Sequence, residues 1–293
     1  MPPSARSLVL DLLSATPGNA LPVNALIEAA SLFDLEANTL RVAVARLLSA
    51  SVLERDSPGL YRLGDRAQAL NRLARSWRRR LEDRLPWDGG WTVVYSAHLA
   101  PVDRAQVTRR VRALRLGGFR ALEKGLYLRP DNLRGGVETS RKALVALGLD
   151  RGASVARLEQ LGPGQDRRAR ALWKREDILK GYRETIESLE RSRRRLADLD
   201  RRAAMAESFV VGGQAIRRIV LDPLLPEAMV PEGALAALVD AMKRYDETGR
   251  RCWADFMRRS CTGAGAGCLP VDGASEGLAV ASVAALQPSE RAL

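Results

Sequence analysis

The side chains best suited to recognise another molecule lie on a stretch of predicted helix between positions 36 and 50. An arginine guanidinium can form two hydrogen bonds with guanine, an asparagine carboxamide can do the same with adenine, and a methyl group can contact thymine. A helix used only for protein contact would expose similar residues, and the sequence leaves that alternative open. The candidate base-contacting residues are Asn38, Thr39, Arg41, Val42 and Arg46.

The elements around this stretch indicate how it would be held. Two shorter helices are predicted before it, over Ser4–Leu13 and Pro22–Ala30, and a Ser-Pro-Gly turn at 57–59 predicts a tight hairpin after it. Helices followed by a hairpin are typical of a winged helix-turn-helix, which inserts one helix into a DNA groove. The wing would carry Arg55 and Arg62, which we expect to contact phosphates or the minor groove.

Residues for catalysis are sparse in this sequence. His98 is the one histidine, so a multi-histidine metal site is excluded and a histidine base would have to be this residue. The three cysteines, Cys252, Cys261 and Cys268, form no CxxC pair, and there is no Gly-Lys dipeptide for a phosphate-binding loop. We therefore expect a protein that is not an enzyme and that holds no metal and no cofactor.

The charge balance favours an anionic partner. The chain has 47 Lys and Arg residues against 35 Asp and Glu residues, which gives a net charge of +12. Nucleic acid or a phosphate-bearing ligand would complement that charge, although a general bias toward arginine would produce the same excess. The apolar run Leu8–Leu13 is too short and too charged for a signal peptide or a membrane span. We expect a cytoplasmic protein with no membrane partner.

Changes in the spacing of apolar residues divide the rest of the chain into segments. An arginine-rich helical pattern follows the wing, and the next segment has the order strand, helix, strand, strand, helix, strand of a ferredoxin-like sandwich. A mostly helical stretch and a run of small residues complete the chain. The expected fold class is therefore α+β and multidomain. The predicted parts are a winged helix-turn-helix at 1–65, a linker helix at 66–85, a ferredoxin-like domain at 86–161, a helical C-terminal domain at 165–258 and a disordered tail at 259–293.

A series of short motifs, in this order, carries a resemblance that extends to about Met257. The most specific are the tryptophan-glycine cluster Trp87–Trp91 and the run Gly125–Asn132. On these residues the chain resembles the PaaX family, the repressors of phenylacetate degradation. The motifs are Ser4–Leu8, Leu40–Ala43, Arg46-Leu47, Trp87–Trp91, Gly118-Phe119, Gly125–Asn132, Leu172-Trp173, Tyr182, Arg217, Asp222-Pro223, Leu225-Pro226 and Pro231.

The resemblance implies a mechanism. A homodimer would bind two half-sites of double-stranded operator DNA and block a promoter until an acyl-coenzyme A thioester, such as phenylacetyl-coenzyme A, shifts it away from the DNA-binding state. Coenzyme A is polyanionic, so arginines beside aromatic side chains are suitable contacts. The candidate effector-binding residues are Trp87, Trp91, Arg129 and Arg217.

Two other functions compete with this interpretation. A ferredoxin-like domain could be a metal-dependent nuclease, but the predicted strand Trp91–Ser96 is followed by no carboxylate before Asp103. The chain could instead be a module that contacts only proteins. A nuclease assay with magnesium or manganese distinguishes the first alternative, and a salt-dependent gel shift distinguishes the second.

Overall fold

The computed structural model describes residues 2–99 and 103–262 and has an α+β fold with two small antiparallel sheets. The described chain forms two compact units. The first unit comprises residues 2–77, 185–218 and 239–262, and the second comprises residues 78–99, 103–184 and 219–238.

Ten helices and seven strands are found in the described residues. Short 3₁₀ turns occur at Pro17–Asn19 and Ser31–Phe33, and a longer 3₁₀ segment covers Ser76–Asp83. The elements, in chain order, are α1 (Ala5–Ala15), β1 (Ala20–Pro22), α2 (Val23–Ala30), α3 (Ala37–Ser49), β2 (Leu53–Ser57), β3 (Leu60–Leu63), α4 (Asp65–Arg75), β4 (Trp91–Tyr95), α5 (Arg104–Leu116), β5 (Arg120–Glu123), β6 (Leu126–Pro130), α6 (Gly136–Leu147), β7 (Ser154–Leu158), α7 (Pro163–Arg170), α8 (Arg175–Arg195), α9 (Arg201–Val220) and α10 (Glu232–Thr262).

The first unit is built around α1, which is buried on most of its surface because α2, α3 and α4 all pack against it. A three-stranded sheet in the order β1-β3-β2 lies beside these helices, and the β2–β3 hairpin forms at the predicted turn. Parts of α9 and α10 add aromatic side chains to the same unit, and Phe209, Trp253 and Phe256 are nearly inaccessible to solvent.

The second unit contains a four-stranded antiparallel sheet in the order β5-β6-β4-β7. The two central strands pair in full register from Trp91 opposite Pro130 to Tyr95 opposite Leu126. Helices α5 and α6 cover part of this sheet, and Val94, Leu114, Phe119 and Leu144 lie in the core between them. The chain order of these elements, strand, helix, strand, strand, helix, strand, is the predicted one.

The apolar face of α5 is only partly buried. Val107, Val111 and Leu114 repeat with helical spacing, but both valines are exposed, at 42% and 46% of their surface. All the buried residues of α5 lie at its C-terminal end, from Ala113 to Leu116. Only the last part of this apolar face therefore lies over the core.

Three further segments differ in detail from the sequence-based prediction. The predicted linker helix at 66–85 is α-helical only to Arg75 and continues as the 3₁₀ segment. Strand β1 was not predicted, because its three residues lie directly before a helix. The predicted tail at 259–293 begins inside α10, and from residue 263 it lies outside the described residues. The predicted domain boundaries stay a prediction, and the helices from 165 to 258 contribute to both compact units.

Within residues 2–99 and 103–262, no helix combines the length and the apolar composition that a bilayer crossing requires. In the same part of the chain, no three histidine, cysteine or carboxylate side chains lie close enough together to hold a metal ion.

Candidate nucleic-acid interface

The outer face of α3 presents all five predicted base-contacting side chains to solvent. Asn38, Thr39, Arg41, Val42 and Arg46 are exposed, and the surface of Val42 is 43% accessible. At 1.5 Å per residue, this face extends over about 12 Å, close to the width of the major groove of B-DNA. The face therefore has the size and the mixture of donor, acceptor and methyl groups needed for contact with base edges.

The guanidinium groups on this face are available to an external partner. Neither Arg41 nor Arg46 forms a hydrogen bond or an ion pair with any residue that the structure describes. The helix itself contains no acidic residue between Ala37 and Ser49. Because no carboxylate competes for these donors, a phosphate or a guanine edge could bind them without displacing an internal partner.

The opposite face of α3 is anchored in the first unit. Leu40, Val44 and Leu47 are almost fully buried, and α3 packs against α1 and α2. Burial of one side chain at each turn fixes the rotation of the helix about its axis. The polar face must consequently point outward.

The hairpin beside α3 has a different electrostatic character. Arg55 is exposed and has no partner among the described residues, whereas Arg62 forms ion pairs with Glu54 at 3.2 Å and Asp56 at 3.6 Å. Two carboxylates thus balance the two arginines of the hairpin. Arg55 is the better placed of the predicted wing residues to contact a phosphate, because Arg62 would first have to exchange its carboxylate partners.

Two predicted effector residues lie in one aromatic cluster of the second unit. The rings of Trp87 and Trp91 meet edge to face with centroids 5.3 Å apart, and Trp91 stacks on Trp173 at 6.2 Å. Trp91 is fully buried and its indole nitrogen donates to Asp166, while Trp87 is half-buried beneath the guanidinium of Arg170, which is 4.5 Å away. Of the two tryptophans, only Trp87 has surface available to a ligand.

A cavity of about 460 Å³ lies in the same unit and is lined by Asp88, Gly89, Gly90, Arg157, Glu159, Gln160, Leu161, Asp166 and Arg170. Its charges are already paired, since Arg157 contacts Asp88 and Glu159, and Arg170 contacts Asp166. The hydrogen bond from Arg157 holds the pKa of Asp88 below its ordinary value. Carboxylates outnumber guanidiniums along the wall, which disfavours the phosphates of a polyanion such as coenzyme A.

The other two predicted effector residues have separate surroundings. Arg129 is 2% exposed, and its guanidinium donates to the main-chain oxygens of Gly117 (2.9 Å) and Pro223 (3.1 Å) and to the side chain of Asn132 (3.2 Å). Burial lowers the pKa of Arg129 to about 9. Arg217 is exposed on α9 and belongs to the first unit. The structure therefore brings Trp87 and Trp91 together, whereas the guanidinium of Arg129 is hydrogen-bonded to other residues of the second unit.

Sequence reasoning did not identify the ion pair between Asp88 and Arg157 in the cavity wall. These two residues are far apart in the chain, and no local motif marks the pair. Only the tertiary fold shows that these charges are already neutralised.

Comparisons with known proteins identify similarities in two segments of the chain and, for one solved structure, over most of its length. A family model described as "PaaX-like protein" matches residues 4–67, from α1 to the start of α4, and one described as "PaaX-like protein C-terminal domain" matches residues 173–254. Among solved structures, the uncharacterized protein Rv0674 from Mycobacterium tuberculosis is similar, with a TM-score of 0.50 and 25% sequence identity. That similarity covers 85% of this chain and 98% of the other. The comparison with curated proteins gave no match.

Proposed function

Since this chain belongs to the PaaX-like family, we propose that it is a sequence-specific DNA-binding transcriptional regulator of phenylacetate or related catabolism. The observation that carries the proposal is the outer face of α3. It presents Asn38, Arg41 and Arg46, neither guanidinium has a partner among the described residues, and the face lies within the residues matched by the first family model. An exposed helix with these residue types is suited to the major groove.

The arrangement of elements supports a winged helix-turn-helix for the DNA-binding part. Helices α1, α2 and α3 precede a hairpin that pairs with β1, as in folds that place a recognition helix in the groove and a wing beside it. In the second unit, the strand order β5-β6-β4-β7 and the two intervening helices support a ferredoxin-like sandwich.

The proposed contacts divide between base edges and the DNA backbone. Arg41 and Arg46 pair with guanine, Asn38 pairs with adenine, and Thr39 and Val42 contact thymine methyl groups. In the wing, Arg55 contacts a phosphate, and Arg62 does so after exchanging its carboxylate partners. Contacts to the backbone hold the register, while the α3 side chains determine the sequence.

The regulatory part of the proposal rests on the family. A dimeric repressor would occupy a promoter and leave it when an acyl-coenzyme A, for which phenylacetyl-coenzyme A is the first candidate, binds and stabilises another state. The acidic wall of the cavity near Trp87 is a poor match for the phosphates of that ligand. Half-buried Trp87 in the second unit and exposed Arg217 in the first unit each stay a separate candidate contact.

The DNA-binding proposal is tested with the full chain and a duplex recovered by in vitro selection from a random pool. We expect tight binding to the selected duplex, weaker binding to a scrambled duplex, and affinities that fall steeply with salt. Arg41→Ala should weaken binding to the selected duplex about tenfold, because one bidentate base contact contributes roughly 1–3 kcal/mol. Arg251→Ala on α10, also exposed, is the control and should bind as the parent does. A chain that enriches no duplex and shows no salt-dependent DNA affinity would contradict the proposal.

The effector proposal has its own measurement. Phenylacetyl-coenzyme A, coenzyme A and phenylacetate are each titrated into the complex with the selected duplex. We expect release of DNA by the thioester alone, because neither half of the ligand makes all of its contacts. Retention of DNA at saturating thioester would exclude this effector and leave the DNA-binding proposal intact.

A further inference from the structure

The segment that leads into α3 is held by two helices from the other end of the chain. This segment, Glu28–Asp34, contains the end of α2 and the 3₁₀ turn, and we call it the α2–α3 turn. It is contacted by α9 and α10 within the first unit, through one aromatic contact and two arginines. These contacts link sequence positions more than 170 residues apart.

The aromatic contact packs the α2–α3 turn against a rigid surface. The ring of Phe33 packs against Phe209 of α9 with centroids 5.3 Å apart, and Phe209 packs in turn against Trp253 of α10 at 5.8 Å. Trp253 is fixed by an edge-to-face contact with Phe256 and by hydrogen bonds from its indole nitrogen to Met205 and Ser208 of α9. Phe33 is therefore docked against a buried aromatic row that has little freedom to move.

The two arginines hold the turn at its polar atoms. The guanidinium of Arg202 on α9 donates to the main-chain oxygen of Ser31 at 3.0 Å and to its hydroxyl at 3.2 Å. The guanidinium of Arg259 on α10 forms an ion pair with Glu28 at 2.8 Å. Both α9 and α10 thus bond to the turn.

Contacts that fix the α2–α3 turn also restrict the orientation of α3. Asp34 takes a left-handed backbone conformation with φ of 54°, and α3 begins at Ala37, only three residues later. The amide of Leu35 also bonds to the main-chain oxygen of Ala30 at the end of α2. A short connection of this kind leaves α3 little freedom to tilt independently of the turn.

From this geometry we infer that Phe33, Arg202 and Arg259 are positioning residues for DNA reading, which makes α9 and α10 part of the DNA-binding apparatus. The inference rests on the proposed function. Hydrogen bonds to base edges require a well-defined helix orientation, whereas backbone contacts to phosphates tolerate a change of tilt. Loss of the positioning contacts should therefore lower the affinity for a specific site and leave non-specific binding unchanged.

The chain offers a matched pair of double variants for the test. Arg202→Ala/Arg259→Ala removes the two hydrogen bonds to Ser31 and the ion pair with Glu28. Arg201→Ala/Arg258→Ala removes the neighbouring arginines, which both form ion pairs with Asp255 of α10, Arg201 from α9 and Arg258 from within α10. Both variants lose two exposed positive charges from the same two helices, so non-specific electrostatic effects should be equal.

Affinity is measured by fluorescence anisotropy on the selected duplex and on the scrambled duplex at several salt concentrations. We expect Arg202→Ala/Arg259→Ala to bind the selected duplex about tenfold more weakly than the control variant, the loss expected when one base contact of α3 is misaligned. Affinity for the scrambled duplex and the salt dependence should be equal in the two variants. Equal affinity for the selected duplex, or equal weakening on both duplexes, would overturn the inference.

A charge-reversal experiment distinguishes the positioning role of Arg259 from a general effect of the substitution on folding. Arg259→Glu should lower the affinity for the selected duplex, and the addition of Glu28→Arg should restore it, because the ion pair returns with opposite polarity and the parent net charge. Absence of that rescue would also overturn the positioning role of Arg259. A parent chain that binds neither duplex would instead remove the proposed function, so the two failures are distinguishable.

Discussion

At the scale of single residues, the arginines fall into two groups with different roles. Arg41, Arg46 and Arg55 have no partner among the described residues, whereas Arg62 and Arg157 bind carboxylates and Arg129 binds main-chain oxygens. The net charge of +12 indicates an anionic partner but does not show which side chains face it. The distinction depends on neighbours that are distant in the chain, so it was beyond sequence reasoning.

Arg129→Ala tests whether this residue is structural. Removal of the guanidinium leaves the buried oxygen of Pro223 and the partly buried oxygen of Gly117 without this donor, and each unsatisfied buried group costs roughly 1–3 kcal/mol. We expect the free energy of unfolding to fall by about 3 kcal/mol in urea denaturation. Arg134→Ala, an exposed site in the same unit, should have a negligible effect. Unchanged stability together with loss of the response to phenylacetyl-coenzyme A would instead make Arg129 an effector-binding residue.

At the scale of elements, the sequence predicted which segments are helices and strands more reliably than what each one contacts. The third helix was expected over 36–50 and is found at Ala37–Ser49, because its apolar residues repeat with helical spacing. The exposed Val107 and Val111 on α5 repeat with the same spacing. Periodicity identifies a face, but the length over which a neighbour covers that face is a tertiary property.

The hairpin between β5 and β6 provides a prediction at this scale. Gly125 adopts φ of +77°, and a Cβ atom there would lie 2.6 Å from the Cβ of Ala97 and 2.8 Å from its main-chain nitrogen. Gly125→Ala should therefore destabilise the protein by about 2 kcal/mol or more, since both the backbone conformation and the space oppose a side chain. The control is Gly233→Ala in the first turn of α10, where a Cβ meets no atom within 4 Å. A thermal melt in which both variants match the parent would contradict this account of the turn.

At the scale of the whole molecule, the two compact units are discontinuous in sequence. The predicted boundaries followed local signals such as Gly162-Pro163-Gly164, whereas residues 185–218 and 239–262 belong to the same unit as the N-terminal helices. Contacts such as that between Phe33 and Phe209 join segments with no shared local pattern. The contribution of α9 and α10 to the α2–α3 turn was for this reason not predicted.

The proposed dimer leads to a prediction about the operator. Two copies related by a two-fold axis would read an imperfect palindrome, with half-site centres one helical turn apart, about 34 Å, or a multiple of it. We expect mass photometry to find two chains on the selected duplex and much weaker binding when one half-site is scrambled. One chain per duplex, with affinity independent of the second half-site, would contradict the dimeric arrangement.

The central claim is that the outer face of α3 reads base sequence, and the most direct measurement is a map of base-pair discrimination. Affinities of the parent and Arg41→Ala are compared across duplexes that each carry one base-pair change. We expect the parent to lose roughly tenfold at each contacted position. Arg41→Ala should lose discrimination at one position of each half-site and keep the remaining pattern. A variant that retains the full parent pattern, or that weakens equally on every duplex, would contradict the claim.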